Sequence, residues 1–538
     1  GTSVPSTAPV PAGAPPVPGQ PAAAAPAAAA PATQQVATPR AAIDGPRLRG
    51  SISLVGGRID RIVLKGYRET VSRASPEIVL FEPPGAPHPY FAEFGWSGGA
   101  DAPALPNATS LWRADGDRLT ADRPLTLTFD NGQGLVFTRR FEIDANFMFT
   151  VTNTVENKGD KPATAHPYAL LSRTGTPPTQ GFYILHEGPL GVFEGKLDEF
   201  KYDDLKDKRR IQRPSTGGWI GITDKYWLAA LVPESGARVQ ASFTHALVDR
   251  LDKYQVDYLH GGLTVAPGGQ ARVVDRLFVG AKEVNLLDAY ERQYAIALFD
   301  RAVDFGWFYF LTKPIFHAID WLNRLLGNFG LAILALTVVI RLLFFPLANK
   351  SYRSMQQMKD LQPEMLRLRE RFGEDRQRLN QAMMELYKRE KVNPMAGCLP
   401  ILLQIPVFFA LYKVLFVAIE MRHAPFYGWV VDLSAPDPTT IFNLFGLIPW
   451  DPPAFFAAGG AVGLGVWPIL MGITMFLQQK MNPAPPDPVQ AKIFMFLPIL
   501  FTFMLASFPA GLVIYWSWNN ILSMAQQYAI TRAMKKKS

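Results

Sequence analysis

The sequence predicts a chain of two parts, an all-β region followed by an α-helical, polytopic membrane bundle. Three observations carry that fold class. Residues from about 48 to 285 alternate apolar and polar positions between turn signals. Five apolar runs of near-span length follow residue 328. Lys and Arg are shared unevenly among the segments joining those runs. At 538 residues the chain is too long for one ordinary domain.

Residues 1–47 read as a Pro/Ala-rich tether. The first 40 positions hold 10 Pro and 13 Ala, a composition that favours an extended, semi-rigid spacer. Residues 48–300 form the β domain, expected as a large sandwich. SISLVGG, RIDRIVLKGY, PLTLTFDNGQGLVFTRRFEI and FMFTVTNTVENKG alternate as half-buried strands do. Asp130-Asn131-Gly132 is an expected hairpin turn, because Asn-Gly accepts positive φ cheaply. The run 286–300 has a helical pattern.

Residues 301–328 are rich in aromatics but carry Arg301, Asp304, Lys313, Asp320 and Arg324. This spacing fits an amphipathic helix lying in a membrane interface, with Trp307, Tyr309 and Trp321 at headgroup depth. Five spans then follow within the core 329–538: 329–349, about 397–418, about 457–479, 491–507 and 512–530. The first is roughly 20 residues, about 30 Å of helix, which matches a hydrocarbon core.

Between the first two spans, residues 350–394 hold 11 Lys and Arg, and the tail adds Arg532, Lys535, Lys536 and Lys537. The segment 420–456 has only Arg422 against Glu420, Asp432, Asp437 and Asp451. Basic loops belong in the cytoplasm, so the C-terminus is expected inside and the β domain outside. The insert 350–394 reads as a helical hairpin broken at Phe372-Gly373-Glu374-Asp375. Met355, Met358, Leu361, Met365 and Leu368 stripe one arm, and Leu379, Met383, Leu386 and Tyr387 the other. The methionines also suit a loosely specified apolar partner.

Catalysis finds little support. The chain has no Walker loop and no H-E-x-x-H pair, and no serine-hydrolase elbow is expected. Its seven His show no metal-ligand spacing, and its one cysteine, Cys398, lies in an apolar run and reads as a small buried hydrophobe. No cofactor and no metal is expected, and the chain is not read as an enzyme. The five spans contain no Asp or Glu, which argues against a proton-coupled pump.

Arg341 and Lys413 are the charges set well inside the runs. Lys413 is about six residues from the outer end of its span and can snorkel. Arg341 lies between FGLAILALTVVI and LLFFPLA, deep enough that a lipid-facing position costs at least about 2.5–3.5 kcal/mol. A wet, protein-lined cavity removes most of that cost. Thr337 is one turn away, Gln404 is in the next span, and Tyr515, Trp516, Asn519 and Asn520 are in the last. A shared hydrophilic pocket of positive charge with no catalytic group suggests transient binding of acidic or polar peptide beside apolar spans. That describes an insertase. An anion-selective channel or transporter, and an accessory subunit of a translocon, are the competing readings.

The segments TVVIRLLFFPLANKSYRSMQQMKDLQPEM and ERFGEDRQRLNQAMMELYKREKVNPMAGCLPILLQIPVFFALY closely resemble the YidC-type membrane protein insertases of Gram-negative bacteria. FLQQKMNP and FPAGLVIYWSWN do so too, and FTRRFEIDANFMFTVTNTVENKG and GGWIGITDKYW resemble that family's periplasmic domain more loosely. The resemblance implies a multi-pass inner-membrane protein with a groove open to cytoplasm and lipid. It makes Arg341 the groove arginine, Thr337 its polar neighbour, and Tyr515-Trp516 a substrate-contacting position where the family often has two tyrosines. It implies a periplasmic supersandwich, similar to sugar mutarotases but without their chemistry and linked to the Sec translocon. The cytoplasmic hairpin, with Met355, Met358, Met365 and Met383, would meet substrates, the ribosome and targeting factors. Nascent membrane proteins and the lipid bilayer are the further partners implied, with no nucleic acid bound directly. The family carries a span before the tether, so six spans and a cytoplasmic N-terminus are implied for the intact protein.

Overall fold

The computed structural model describes residues 16–18, 38–99, 102–179, 185–373, 375–390, 392, 399–450, 452–453, 455–457, 460, 463–482 and 488–535. Most of the tether, and Glu374, Lys391, Cys398, Asp451, Lys536 and Lys537, lie outside these residues. The chain forms two compact units, residues 1–304 and 305–538.

The first unit is a sandwich of two large sheets. One runs in the order Arg210–Thr216, Arg238–Val248, Leu251–His260, Ala163–Thr174, Tyr90–Ser97, Arg58–Arg68, Leu48–Ser53, Arg40–Asp44, Arg118–Leu119, with Glu77–Phe81 and Leu263–Val265 paired beside it. The other runs Lys196–Glu199, Gly188–Phe193, Trp219–Thr223, Trp227–Val232, Gln270–Ala281, Met148–Asn157, Leu135–Ile143, Leu125–Asp130, Arg113–Ala114. Alternation builds the core directly. In Leu135–Ile143 every second residue is buried. Trp96 of one sheet meets Phe137 of the other at 5.8 Å between ring centroids. Tyr258 donates across the core to Asp275 Oδ1 at 2.8 Å, an oxygen also 2.9 Å from His260 Nε2. Two helices complete the unit, α1 (Tyr202–Lys208) and α2 (Val284–Tyr294). His186 is held neutral, because burial pushes its imidazole down to about 4.

Three expectations need correction here. The β unit begins before residue 48: Arg40–Asp44 is a strand, with Ala41 and Ile43 buried. Its alternation lasts five residues beside a Pro-rich stretch, too short to stand out. The turn at Asp130 is longer than a two-residue hairpin, since Asp130 pairs with Val136. Gly132 and Gly134 take positive φ, while the Asp130 and Asn131 carboxyl and amide oxygens cap the backbone N–H groups of Gly132 and Gln133. Finally, Gly95-Trp96-Ser97-Gly98-Gly99 does carry the G-x-S-x-G spacing. It forms no elbow, because no helix follows the strand and Ser97 Oγ donates to Pro16 O at 2.9 Å.

The second unit is helical: α3 (Tyr309–Leu326), α4 (Phe329–Leu343), α5 (Phe345–Asp360), α6 (Gln362–Phe372), α7 (Arg376–Arg389), α8 (Leu399–Val417), α9 (Val466–Met481), α10 (Pro488–Leu505) and α11 (Ala510–Lys535). The amphipathic segment is helical from Tyr309, not from residue 301. It buries Thr312, Ile315, Phe316 and Ile319 on one face and leaves Trp307, Phe310 and Trp321 exposed. Gly327, at φ +69°, ends α3, and Asn328 Oδ1 accepts the Leu331 N–H to start α4. The two axes meet at 120°.

Among the described residues no single helix is long and apolar enough to cross a membrane. The α3–α4 pair has the length and composition together, but bent. The run 329–349 breaks at Phe344, because Pro346 lacks an N–H and disfavours helix just before it. Within the run 457–479 the described helix begins at Val466. The 26-residue α11 is long enough but carries Asn519, Asn520, Gln526, Gln527 and Arg532.

The hairpin's first arm is itself jointed at Leu361. Met365 and Leu386 are buried, and Arg389 pairs with Glu364 at 2.8 Å.

Candidate functional site

The start of α9 shows how a polar group is held in the helical unit. Asp437, 2% exposed, accepts from Trp467 N–H (2.8 Å), Thr439 N–H (3.0 Å), Thr439 Oγ1 (2.7 Å) and Trp429 Nε1 (3.1 Å). Its charge faces the positive end of α9. Both oxygens of this carboxylate are engaged.

Arg341 is held differently. It projects from the last turn of α4 toward α11. Its Nε donates to Asn519 Oδ1 at 3.0 Å, and its Nη2 to the same oxygen at 2.7 Å and to Ser523 Oγ at 2.6 Å. Ser523 Oγ passes its own proton to Asn519 O at 2.7 Å. All these partners are neutral. Among the described residues no carboxylate pairs with Arg341, and its charge is solvated there by neutral dipoles.

Beside the guanidinium lies a cavity of about 30 Å³, lined by Arg341, Gln404 and Gln526 among Ile340, Phe344, Leu347, Ala348 and Val407. This volume has room for about two waters and none for a peptide. Gln526 Nε2 is buried there without a hydrogen-bond partner among the described residues. Gln404 Nε2 donates to Tyr515 Oη on α11. The structure thus brings Arg341, Gln404, Tyr515 and Asn519 to one place, on three helices.

The other expected groove residues stand apart. Thr337 is 3% exposed and donates to Ile333 O of its own helix at 2.7 Å. Asn520 donates to Thr474 Oγ1 on α9 at 3.1 Å. Trp516 packs against Phe408 and Phe501, with centroids at 4.7 and 5.8 Å. Ser523 and Gln526 were not anticipated, although they continue the face of Tyr515 and Asn519 at helical spacing.

The hairpin methionines also divide. Met365 is spent on internal packing, and Met355 packs with Ala348, Tyr352 and Ile530. Met358 and Met383 are half-buried, while Leu366 and Met384 are exposed.

The comparisons with known proteins agree across both units. The profile of the YidC periplasmic domain matches residues 40–318, and that of the 60Kd inner membrane protein matches residues 321–537. A membrane protein insertase YidC of Methylorubrum extorquens is 57% identical over 92% of this chain and 81% of its own length. The chain belongs to the YidC family of membrane protein insertases. Another YidC, from Methylobacterium radiotolerans, is 53% identical over 98% of this chain and 86% of its own. A crystal structure of an active YidC insertase covers 91% of this chain and 92% of its own at 16% identity, with a TM-score of 0.36 that is too low to build on.

Proposed function

We propose that this YidC-family chain inserts membrane proteins by holding the acidic or polar flank of an incoming segment at Arg341. One observation carries the reading: a guanidinium whose partners among the described residues are all neutral dipoles, on a cavity shared with Gln404 and Gln526. A carboxylate arriving there gains a charge partner without displacing one. The cavity must widen to admit it, while Asn519 and Ser523 keep the guanidinium in place. The segment's apolar part then partitions into lipid, where burial supplies the driving force without nucleotide.

The five runs are proposed to span the inner membrane, with the β unit in the periplasm and the hairpin and C-terminus in the cytoplasm. Exposed Leu366 and Met384 join Met358 and Met383 as the hairpin's contacts for nascent chains and for the ribosome or targeting factors. The Sec translocon is the proposed partner of the periplasmic side.

The test is insertion of a one- or two-span client into ATP-free proteoliposomes, scored by protease protection. The wild type should protect the client above empty vesicles, Arg341→Lys partly, and Arg341→Ala at background. Full protection by Arg341→Ala would sink the groove role. Anion flux without client protection would turn the reading to a channel.

A further inference from the structure

The tether is not uniformly a spacer. Val17 is 2% exposed and packs among Phe91, Tyr168, Leu170 and Leu259 on the first sheet. Pro16 O accepts from Ser97 Oγ at 2.9 Å, and Pro18 O accepts from Gln255 Nε2 at 3.1 Å. The prolines have no N–H to satisfy, and both of their carbonyls find partners on the sheet.

The surface beneath is built for more than three residues. Register puts Ser97, Glu93, Tyr168, Leu170, Ser172, Gln255, Asp257 and Ser242 on one face, opposite the face of Trp96 and Tyr258 that meets the second sheet. An outward face should be wet, yet Glu93, Ser172, Gln255 and Asp257 are at most 4% exposed. Glu93 is fixed by Tyr168 Oη at 2.7 Å and Arg58 Nη2 at 2.8 Å. Gln255 Nε2 is shared with Asp257 Oδ2 at 2.8 Å. Ser172 Oγ, directly across from Gln255, has no partner among the described residues. This hydroxyl has bonding capacity left over, which a group seated on the face can take up.

We infer that this face is a binding cleft for extended, proline-flanked aliphatic peptide, filled in cis by Pro16-Val17-Pro18. A polyproline-type strand suits it, since its shape is fixed before binding and little order is lost. The segment acts as a latch that shortens the free tether while it is seated. Its release would lengthen the tether and open the cleft together.

Val17→Asp in the full-length protein in detergent should empty the cleft without touching the sheet. A fluorescein-labelled peptide of residues 11–21, PAGAPPVPGQP, should then bind that variant saturably and the wild type at least tenfold more weakly. The same peptide with Asp for Val should not bind. Adding Ser97→Ala and Gln255→Leu to Val17→Asp should abolish binding. Equal binding to wild type and Val17→Asp, or equal binding of the Asp peptide, would overturn the cleft. Maleimide labelling of Val17→Cys in a Cys398→Ser background should be slow at every protein concentration. Fast labelling would remove the latch, and protection that fades on dilution would make the occupant a second copy and overturn the cis assignment.

Discussion

Asn519 and Asn520 are neighbours in sequence, but on a helix they point about 100° apart and do different work. Asn519 holds Arg341, whereas Asn520 ties α11 to α9 through Thr474. Asn519→Leu should therefore lower insertion yield roughly tenfold, the worth of hydrogen bonds to a charged group. Asn520→Leu should cost about 1 kcal/mol of stability and less than about twofold in insertion. In an Arg341→Ala background Asn519→Leu should add almost nothing, because the two act as one unit. Protease protection of a client across the four variants checks all of this. His186 gives a second prediction at this scale. Its native imidazole titrates near 4, below the ordinary 6.5. The unfolded chain therefore takes up the proton first as pH falls. Stability of the β unit is fully present above about 6.5 and drains away toward 4, by on the order of 3 kcal/mol. Urea midpoints at pH 7 and pH 5 should differ clearly for the wild type and much less for His186→Gln.

Helix α9 is fixed at its start by Asp437 and near its middle by Gly472. Asp437→Ala should strand the Trp429, Thr439 and Trp467 donors and lower detergent stability by about 2–4 kcal/mol. Gly472 lets α9 approach α10 so closely that a Cβ there would lie 2.1 Å from Thr502 Oγ1. Gly472→Val should thus lower the melting temperature, and Thr502→Ala should recover part of the loss. Tyr515 and Asn519, one turn apart, make α11's polar face legible in the sequence, although Ser523, the next step of the same series, was not anticipated. The sequence conceals Asp437, which reads as one acidic residue in an outer loop and reaches α9 from nearly thirty positions away. Thr337 misled for a related reason: spacing set it on Arg341's face, but a hydroxyl on a helix can satisfy itself on the carbonyl four residues back. The β unit's alternation was readable in strands such as Leu135–Ile143, but five-residue Arg40–Asp44 gave too little of it and Gly188–Phe193, buried at every position, gave none. Val17 was hidden by the prolines around it, whose composition speaks of chain stiffness and not of docking.

The whole molecule exposes large apolar side chains unevenly. Phe496, Ile499 and Phe503 recur on one side of α10, and Leu470, Ile473 and Leu477 on α9, all exposed. Such a band would aggregate in water and is at home in lipid. Spin labels at 496, 499 and 503 should be reached by oxygen and shielded from aqueous nickel in liposomes, and a label at exposed Leu247 should show the reverse. Nickel access at the α10 positions would refute the lipid-facing band. Arg341, finally, stands in the helical unit as a fixed charge with no counter-charge among the described residues. On the proposed reading, an acidic flank that leaves it for the outer surface moves down the electrical gradient of an energised membrane, each carboxylate gaining a share of the about 2.3 kcal/mol per 100 mV that a full crossing yields. Clients with acidic leading segments should insert faster as the voltage rises, and neutral ones should be indifferent to it. The bilayer's own voltage would then supply, for a protein with no nucleotide-binding loop, the directionality that a static cation cannot.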